Sequence, residues 1–224
     1  MINTLRIFVP GVVAISALVL DLQPQARGAG WYFNGDAGGS LTANTDLKEF
    51  FGPVTPGSKV KFDPGVRVGA SAGYFVTDWF AGEVSFGAAA SSISSITDAE
   101  RVDAVFSNVP FLVGGRFQCP RCNRWTPYVG GGLGVSVATV DTDRISLGGV
   151  ELSGTTADAV FACQGFAGLR YKLNDQMSCG VEYRFLWADS PTWTVDVAVG
   201  TATDKVRFGS TQTHSLSLTF EWAF

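Results

Sequence analysis

The sequence is short of charge. Lys, Arg, Asp and Glu make up 16% of its 224 residues, where a soluble domain carries about a quarter. The formal net charge is −4, so there is no basic excess to grip a phosphate backbone, and nucleic acid is excluded as a partner. Long hydrophobic runs are also missing. The one uninterrupted apolar run, Ile7 to Leu20, is too short for a comfortable membrane-spanning helix. Histidine occurs once, as His214, and no ordered ligand spacing appears among the acidic residues. No metal or other cofactor is implied.

What is present is alternation. The last eleven residues read HSLSLTFEWAF. Leu216, Leu218, Phe220, Trp222 and Phe224 fall on one face, and Ser215, Ser217, Thr219, Glu221 and Ala223 on the other. A period of two is a β-strand between an apolar and a polar medium. At the other end, residues 1–28 read as a secretory signal peptide. Arg6 is the positive start and Ile7–Leu20 the apolar stretch, with small residues for cleavage after position 28 or 30. Residues 29–224 are then expected to form one domain.

Seven more alternating runs precede the terminal one: Trp31–Leu41, Phe62–Val76, Trp79–Ala90, Ala104–Phe117, Trp125–Val140, Ala157–Lys172 and Met177–Ala188. Pro110 weakens the fourth, because proline cannot donate to a ladder. The connections alternate between long and short. The long ones are 42–61, 91–103, 141–156 and 189–209; the short ones are Thr77-Asp78, 118–124 and 173–176. Eight strands with this rhythm predict an all-β fold, a closed antiparallel up-and-down transmembrane barrel. Its short turns and both termini lie on the periplasmic side and its four long loops outside. Strand 31–41 is expected to neighbour strand 212–223, which removes the open edge.

Three features set the faces. The polar face is mostly Gly, Ser and Ala, which suits a narrow interior rather than a watery surface. Its charges balance: Asp36, Glu83, Glu182 and Glu221 face Arg67, Arg116, Arg170 and Arg184. Asp63 falls on the same face. Buried charge is tolerated only when paired and hydrogen-bonded, and an arginine fork suits a carboxylate. Aromatics gather at the strand ends. Trp31, Phe33, Tyr74, Phe80, Phe117, Trp125, Tyr171, Trp222 and Phe224 lie near the short turns, and Phe62, Phe86, Phe161, Phe185 and Trp187 near the other rim. Two such girdles anchor a barrel at the membrane interfaces.

On GWYFNGDAGGS (30–40), PYVGGGLGVS (127–136) and the terminal SLSLTFEWAF, the chain resembles the eight-stranded outer-membrane β-barrel superfamily, of the opacity and OmpA-like transmembrane kind. The resemblance implies residence in outer-membrane lipid. It also implies delivery by the barrel-assembly machinery, which reads a closing signal ending in Phe224. A structural or adhesin-like role through the external loops is expected, with an unknown surface ligand and no enzymatic activity. The alternatives are a lipid-modifying enzyme, a narrow channel, and a soluble ligand-binding barrel.

Chemistry has few candidates. Cys119-Pro120-Arg121-Cys122 lies in a turn between strands, so a redox role is not expected. An oxidising compartment favours a disulfide there, and the tight ring favours two free thiols. Cys163 and Cys179 fall on the lipid-facing rows at opposite ends of their hairpin and behave as small hydrophobes. The deacylase pattern of a lipid-facing His with a Ser two positions on fails, since Leu216 occupies that place. His214 is expected at the rim. Leu47, Phe50 and Phe51 in the first long loop and Trp193, Val195, Val197 and Val199 in the fourth are expected to pack locally, with the seventh and eighth strands extending past the membrane as a hairpin, rather than to form a contact surface.

Overall fold

The computed structural model describes residues 30–50, 54–55, 57–97, 101–122, 124–147, 150–194 and 205–224. The expected signal peptide lies outside them, as do Phe51, Val195, Val197 and Val199. Eight long strands form the wall: β1 (Gly30–Thr42), β4 (Gly65–Phe75), β5 (Phe80–Ile96), β6 (Arg101–Gln118), β7 (Trp125–Leu147), β8 (Val150–Lys172), β9 (Met177–Ala188) and β12 (Thr211–Ala223). Each pairs antiparallel with its neighbour in space, and β1 pairs with β12 from Tyr32↔Ala223 to Thr42↔Thr213. The barrel is closed.

The registers also fix its geometry. Starting at Ser40, the partners run Ser215, Arg184, Phe166, Gly130, Arg116, Ala81, Phe75 and back to Gly30 on β1. One circuit therefore slips ten residues along β1. With eight strands about 4.8 Å apart, rising about 3.3 Å per residue, that slip gives a strand tilt of about 40°. So narrow a barrel has room inside only for side chains.

Pro110 sits within β6, paired with Ser136 on the β7 side. On the β5 side the ladder runs to Phe86↔Phe111 and resumes at Ala89↔Asn108 in the same register. The missing N–H interrupts two pairings without slipping the strand.

Four shorter strands lie where the sequence reads as loops: β2 (Thr45–Phe50), β3 (Lys59–Phe62), β10 (Thr192–Thr194) and β11 (Lys205–Phe208). They continue β1, β4, β9 and β12 past breaks at Ala43-Asn44, Asp63-Pro64, Asp189-Ser190-Pro191 and Gly209-Ser210. The upper part of β5 pairs with β3, β3 with β2, β2 with β11 and β11 with β10. The regions 91–103 and 141–156 are likewise mostly strand, as β5 to β8 rise beyond the membrane.

These extensions have a core of their own. Leu47, Phe50, Val60, Trp193, Val206 and Phe208 pack with Ile93, Ile96, Ala104, Phe106, Ala138 and Val140, all buried. The Trp193 indole N–H donates to the Ala138 carbonyl at 3.1 Å. The result is an apolar dome across the external mouth. Two sequence expectations change here. Phe62 does not sit in the lipid-facing rim; it packs into the dome, 5.2 Å from the Phe106 ring. Asp63 does not point inward but is exposed, because the Asp63-Pro64 break resets the alternation.

Candidate functional site

Alternation turns one row of every wall strand inward, and that row carries the charge. On β1 the pattern buries Tyr32, Asn34, Asp36 and Ser40 and exposes Trp31, Phe33 and Leu41. The four arginines and four acids singled out from sequence are all buried on the inner face. Arg67 donates to Asp36 through Nε at 3.0 Å. Arg184 donates to Glu182 Oε1 through Nη2 at 2.6 Å and Nε at 3.0 Å. Its Nη1 donates to Gln164, whose amide donates to Ser85 Oγ at 2.8 Å. Arg116 pairs with Glu221 at 2.7 Å and lies 3.7 Å from Glu83. Arg170 pairs with the same Glu221 oxygen. One carboxylate from the terminal strand thus bridges two guanidinium groups.

Tyrosines complete the arrangement, and sequence reasoning did not single them out. The Tyr32 hydroxyl donates to Glu83 at 2.6 Å, and the Arg116 guanidinium lies 3.9 Å over the Tyr32 ring. The Tyr128 hydroxyl donates to Glu182 at 3.0 Å, and Arg170 lies 3.9 Å over the Tyr128 ring. Each ring rests on a glycine directly across the ladder, Gly73 for Tyr32 and Gly168 for Tyr128. A β-carbon at either glycine would enter the tyrosine ring. Two matching units of Tyr, Gly, Glu and Arg therefore stand side by side, joined by Glu221. Buried stacking of this kind contributes about 2 kcal/mol per contact. The signal was present in the alternation, which places Tyr32 and Tyr128 on the glycine-rich row. Their pairing with particular glycines needs the register.

The outward rows are apolar. Leu216, Leu218, Phe220 and Trp222 are exposed, and Phe224 packs against Phe33 and Trp222. Aromatic pairs mark the end with the short turns: Trp31 with Tyr74, Trp125 with Tyr171, Trp79 with Phe117. Cys119 and Cys122 are joined by a disulfide in the β6–β7 turn. Cys163 and Cys179 are free and half-buried. Cys163 lies opposite Trp187 and Cys179 opposite Tyr171, at the two ends of the hairpin. His214 Nδ1 is hydrogen-bonded to the Tyr183 hydroxyl at 2.7 Å, while Ser215 and Ser217 are buried on the other face. No histidine–serine pair is assembled there. Among the described residues, no group of three or more side chains gathers to hold a metal ion.

Comparisons with known proteins agree with this geometry. Residues 12–224 match the family model described as outer membrane protein beta-barrel domain. Solved structures that share the fold include three outer-membrane proteins. AlkL, determined in lipid bilayers, is 18% identical with a TM-score of 0.57, covering 92% of this chain and 95% of that one. OprG of Pseudomonas aeruginosa is 17% identical with a TM-score of 0.55, covering 90% and 99%. Neisserial surface protein A is 15% identical with a TM-score of 0.52, covering 88% and 99%. At these identities the likeness is one of fold. A search of curated proteins found no match.

Proposed function

Since this chain belongs to the outer-membrane β-barrel family, we propose that it serves the bacterial surface as a structural and interaction barrel, adhesin-like, working through what it holds outside the membrane. One observation carries the reading: the external segments build a packed dome with its own apolar core. A barrel meant only to span lipid needs no such platform, and loops on a rigid scaffold are where binding residues concentrate. The filled interior argues against a general pore. The Tyr183 hydrogen bond to His214, with Ser215 and Ser217 turned inward, argues against a histidine-based lipid-modifying enzyme. On the same reading, residues 1–28 are removed during export, and the barrel-assembly machinery recognises the terminal strand through Phe224.

The test uses a non-adherent laboratory bacterium displaying the protein. Wild type is expected to raise attachment to cultured epithelial cells and immobilised matrix protein. Trp193→Ala with Phe208→Ala removes two buried aromatics, each costing about 3–5 kcal/mol. The barrel is expected to stay in the membrane, with the dome opened to added protease and attachment lost. Attachment at the wild-type level from a protease-sensitive dome would overturn the proposal.

A further inference from the structure

Among the described residues, the strands above the membrane divide by charge. The adjacent β11, β2 and β3 carry five cations, Lys48, Lys59, Lys61, Lys205 and Arg207, all exposed. Two acids share these strands, Asp46 and Glu49, and Asp63 follows at the foot of β3. This side is therefore basic even with every acid counted. The upper part of β5 (91–96) has no charged residue. The upper parts of β6, β7 and β8 (101–106, 139–147 and 150–158) carry five acids, Asp103, Asp141, Asp143, Glu151 and Asp158. Only Arg101 and Arg144 oppose them there. Asp141 is exposed, and accepts a hydrogen bond from the Thr155 hydroxyl at 2.8 Å.

The two groups stand on opposite sides of the molecule. β2 continues β1, with β3 and β11 on either side of it, and β7 lies halfway round the wall from β1. They also stand at one height. Gly39 on β1 connects by register through Val66, Ala90 and Ser107 to Thr139 on β7. Half a circuit lifts that row by half of the ten-residue slip. Thr139 is therefore level with Asn44, five residues past Gly39. Lys48 rises beyond Asn44 as Asp141 rises beyond Thr139. We propose that these sides are complementary surfaces for neighbouring copies of this chain, the basic side of one dome facing the acidic side of the next. The membrane aligns them. It holds every copy upright and at one depth, so domes meet sideways at equal heights. Rotation about the membrane normal is the orientational freedom that remains, and opposite charge sets it. Each exposed pair contributes little alone, but confinement to a membrane raises the effective concentration of partners. A contact between two different surfaces does not close on itself. With those surfaces diametrically opposed, it extends as an open row. The row leaves the top of each dome free, and it stands apart from any attachment to another cell.

The test uses outer membranes of a bacterium expressing the full-length protein, with Cys163→Ala and Cys179→Ala removing the free thiols. Mobility of the unboiled protein on a gel verifies the fold of every variant. Chains carrying both Asn44→Cys and Thr139→Cys are treated with a short bismaleimide. They are expected to give a ladder of dimers and larger species. Chains carrying Asn44→Cys alone or Thr139→Cys alone are expected to stay monomeric, because the row sets 44 against 139 and never like against like. Co-expressing the two single-cysteine chains is expected to give dimers and nothing larger. Salt at about 1 M, where the screening length is about 3 Å, is expected to cut the ladder by about fivefold or more. Lys48→Glu with Lys61→Glu is expected to cut it comparably at low salt. Adding Asp141→Lys and Asp143→Lys is expected to restore much of the loss, since both sides are then reversed. If the glutamate variant does not fold, Lys48→Gln with Lys61→Gln is expected to give a smaller loss in the same direction. Monomers alone from the chain with both cysteines would overturn the proposal. So would dimers of equal yield from either single-cysteine chain, the mark of crowding, or a ladder indifferent to salt and to charge reversal.

Discussion

Glu221→Gln is expected to lower the stability of the barrel by about 3–5 kcal/mol, the penalty of stranding buried charge. Glu221 is the carboxylate shared by Arg116 and Arg170. Arg116 is 1% exposed and Arg170 3%. With Glu221 neutral, Arg116 keeps one carboxylate partner among the described residues, Glu83 at 3.7 Å, beside its stacking on Tyr32. Arg170 has no other salt-bridge partner among the described residues and keeps only its stacking on Tyr128. Glutamine preserves the shape, so the loss reports charge alone. The measurement is a urea titration of protein folded into liposomes, with the folded fraction read from unboiled electrophoresis. Adding Arg170→Met to Glu221→Gln removes one of the stranded cations and is expected to restore much of the loss. The coupling between the two sites is then the quantity of interest. An unchanged midpoint in Glu221→Gln would show that the inner charges are not held as one network.

Leu218→Arg is expected to destabilise by about 2–4 kcal/mol, the penalty of a guanidinium at the middle of a lipid-facing strand. Leu218 is 71% exposed. It lies halfway along the outward row of β12, beside Ala37 on β1 and Val181 on β9. In water, an arginine at so open a position changes stability by about 0.5 kcal/mol or less. The size of the effect therefore identifies the medium outside the barrel. Gln212→Arg, on the same row at the external rim, is the control, and a change of about 1 kcal/mol or less is expected there. The same titration reads both.

The wall of the barrel was legible because each strand is long enough for alternation to repeat. Ten or more residues of period two leave little ambiguity, and the rhythm of long and short connections gave the topology. Pro110 weakened one strand in the reading and interrupts that strand's ladder in the fold, without ending it. Of the dome, the continuation of the last two wall strands past the membrane as a hairpin was legible, but not the bounds of the short strands or their pairing with β2 and β3. Lys59-Val60-Lys61-Phe62 and Lys205-Val206-Arg207-Phe208 do alternate, but four residues beside Pro64 or Gly209 look like loop. What makes them strands is tertiary: β5 to β8 rise above the membrane and offer edges to pair with. The inward position of Leu47, Phe50 and Trp193 follows from that scaffold. Asp63 was misplaced for the same reason, since carrying the alternation through Pro64 ignores the break. In the interior, the charged residues were readable one by one from their row. The partnerships of Tyr32 with Gly73 and Tyr128 with Gly168 join different strands, so they depend on register, which the shear of the closed barrel sets.

Closure of the sheet between its first and last strands underlies every statement about inside and outside. Its most direct test is a cysteine pair at the external rim, Leu41→Cys with His214→Cys, at positions that are register partners on β1 and β12. Oxidation of membranes carrying this variant is expected to give an intramolecular disulfide, seen as a mobility shift reversed by reductant. Leu41→Cys with Thr213→Cys is expected to give none, because Thr213 faces the interior, where its hydroxyl lies 3.2 Å from that of Thr42. Failure of the first pair to cross-link, or cross-linking only between separate molecules, would contradict a closed barrel and the account built on it.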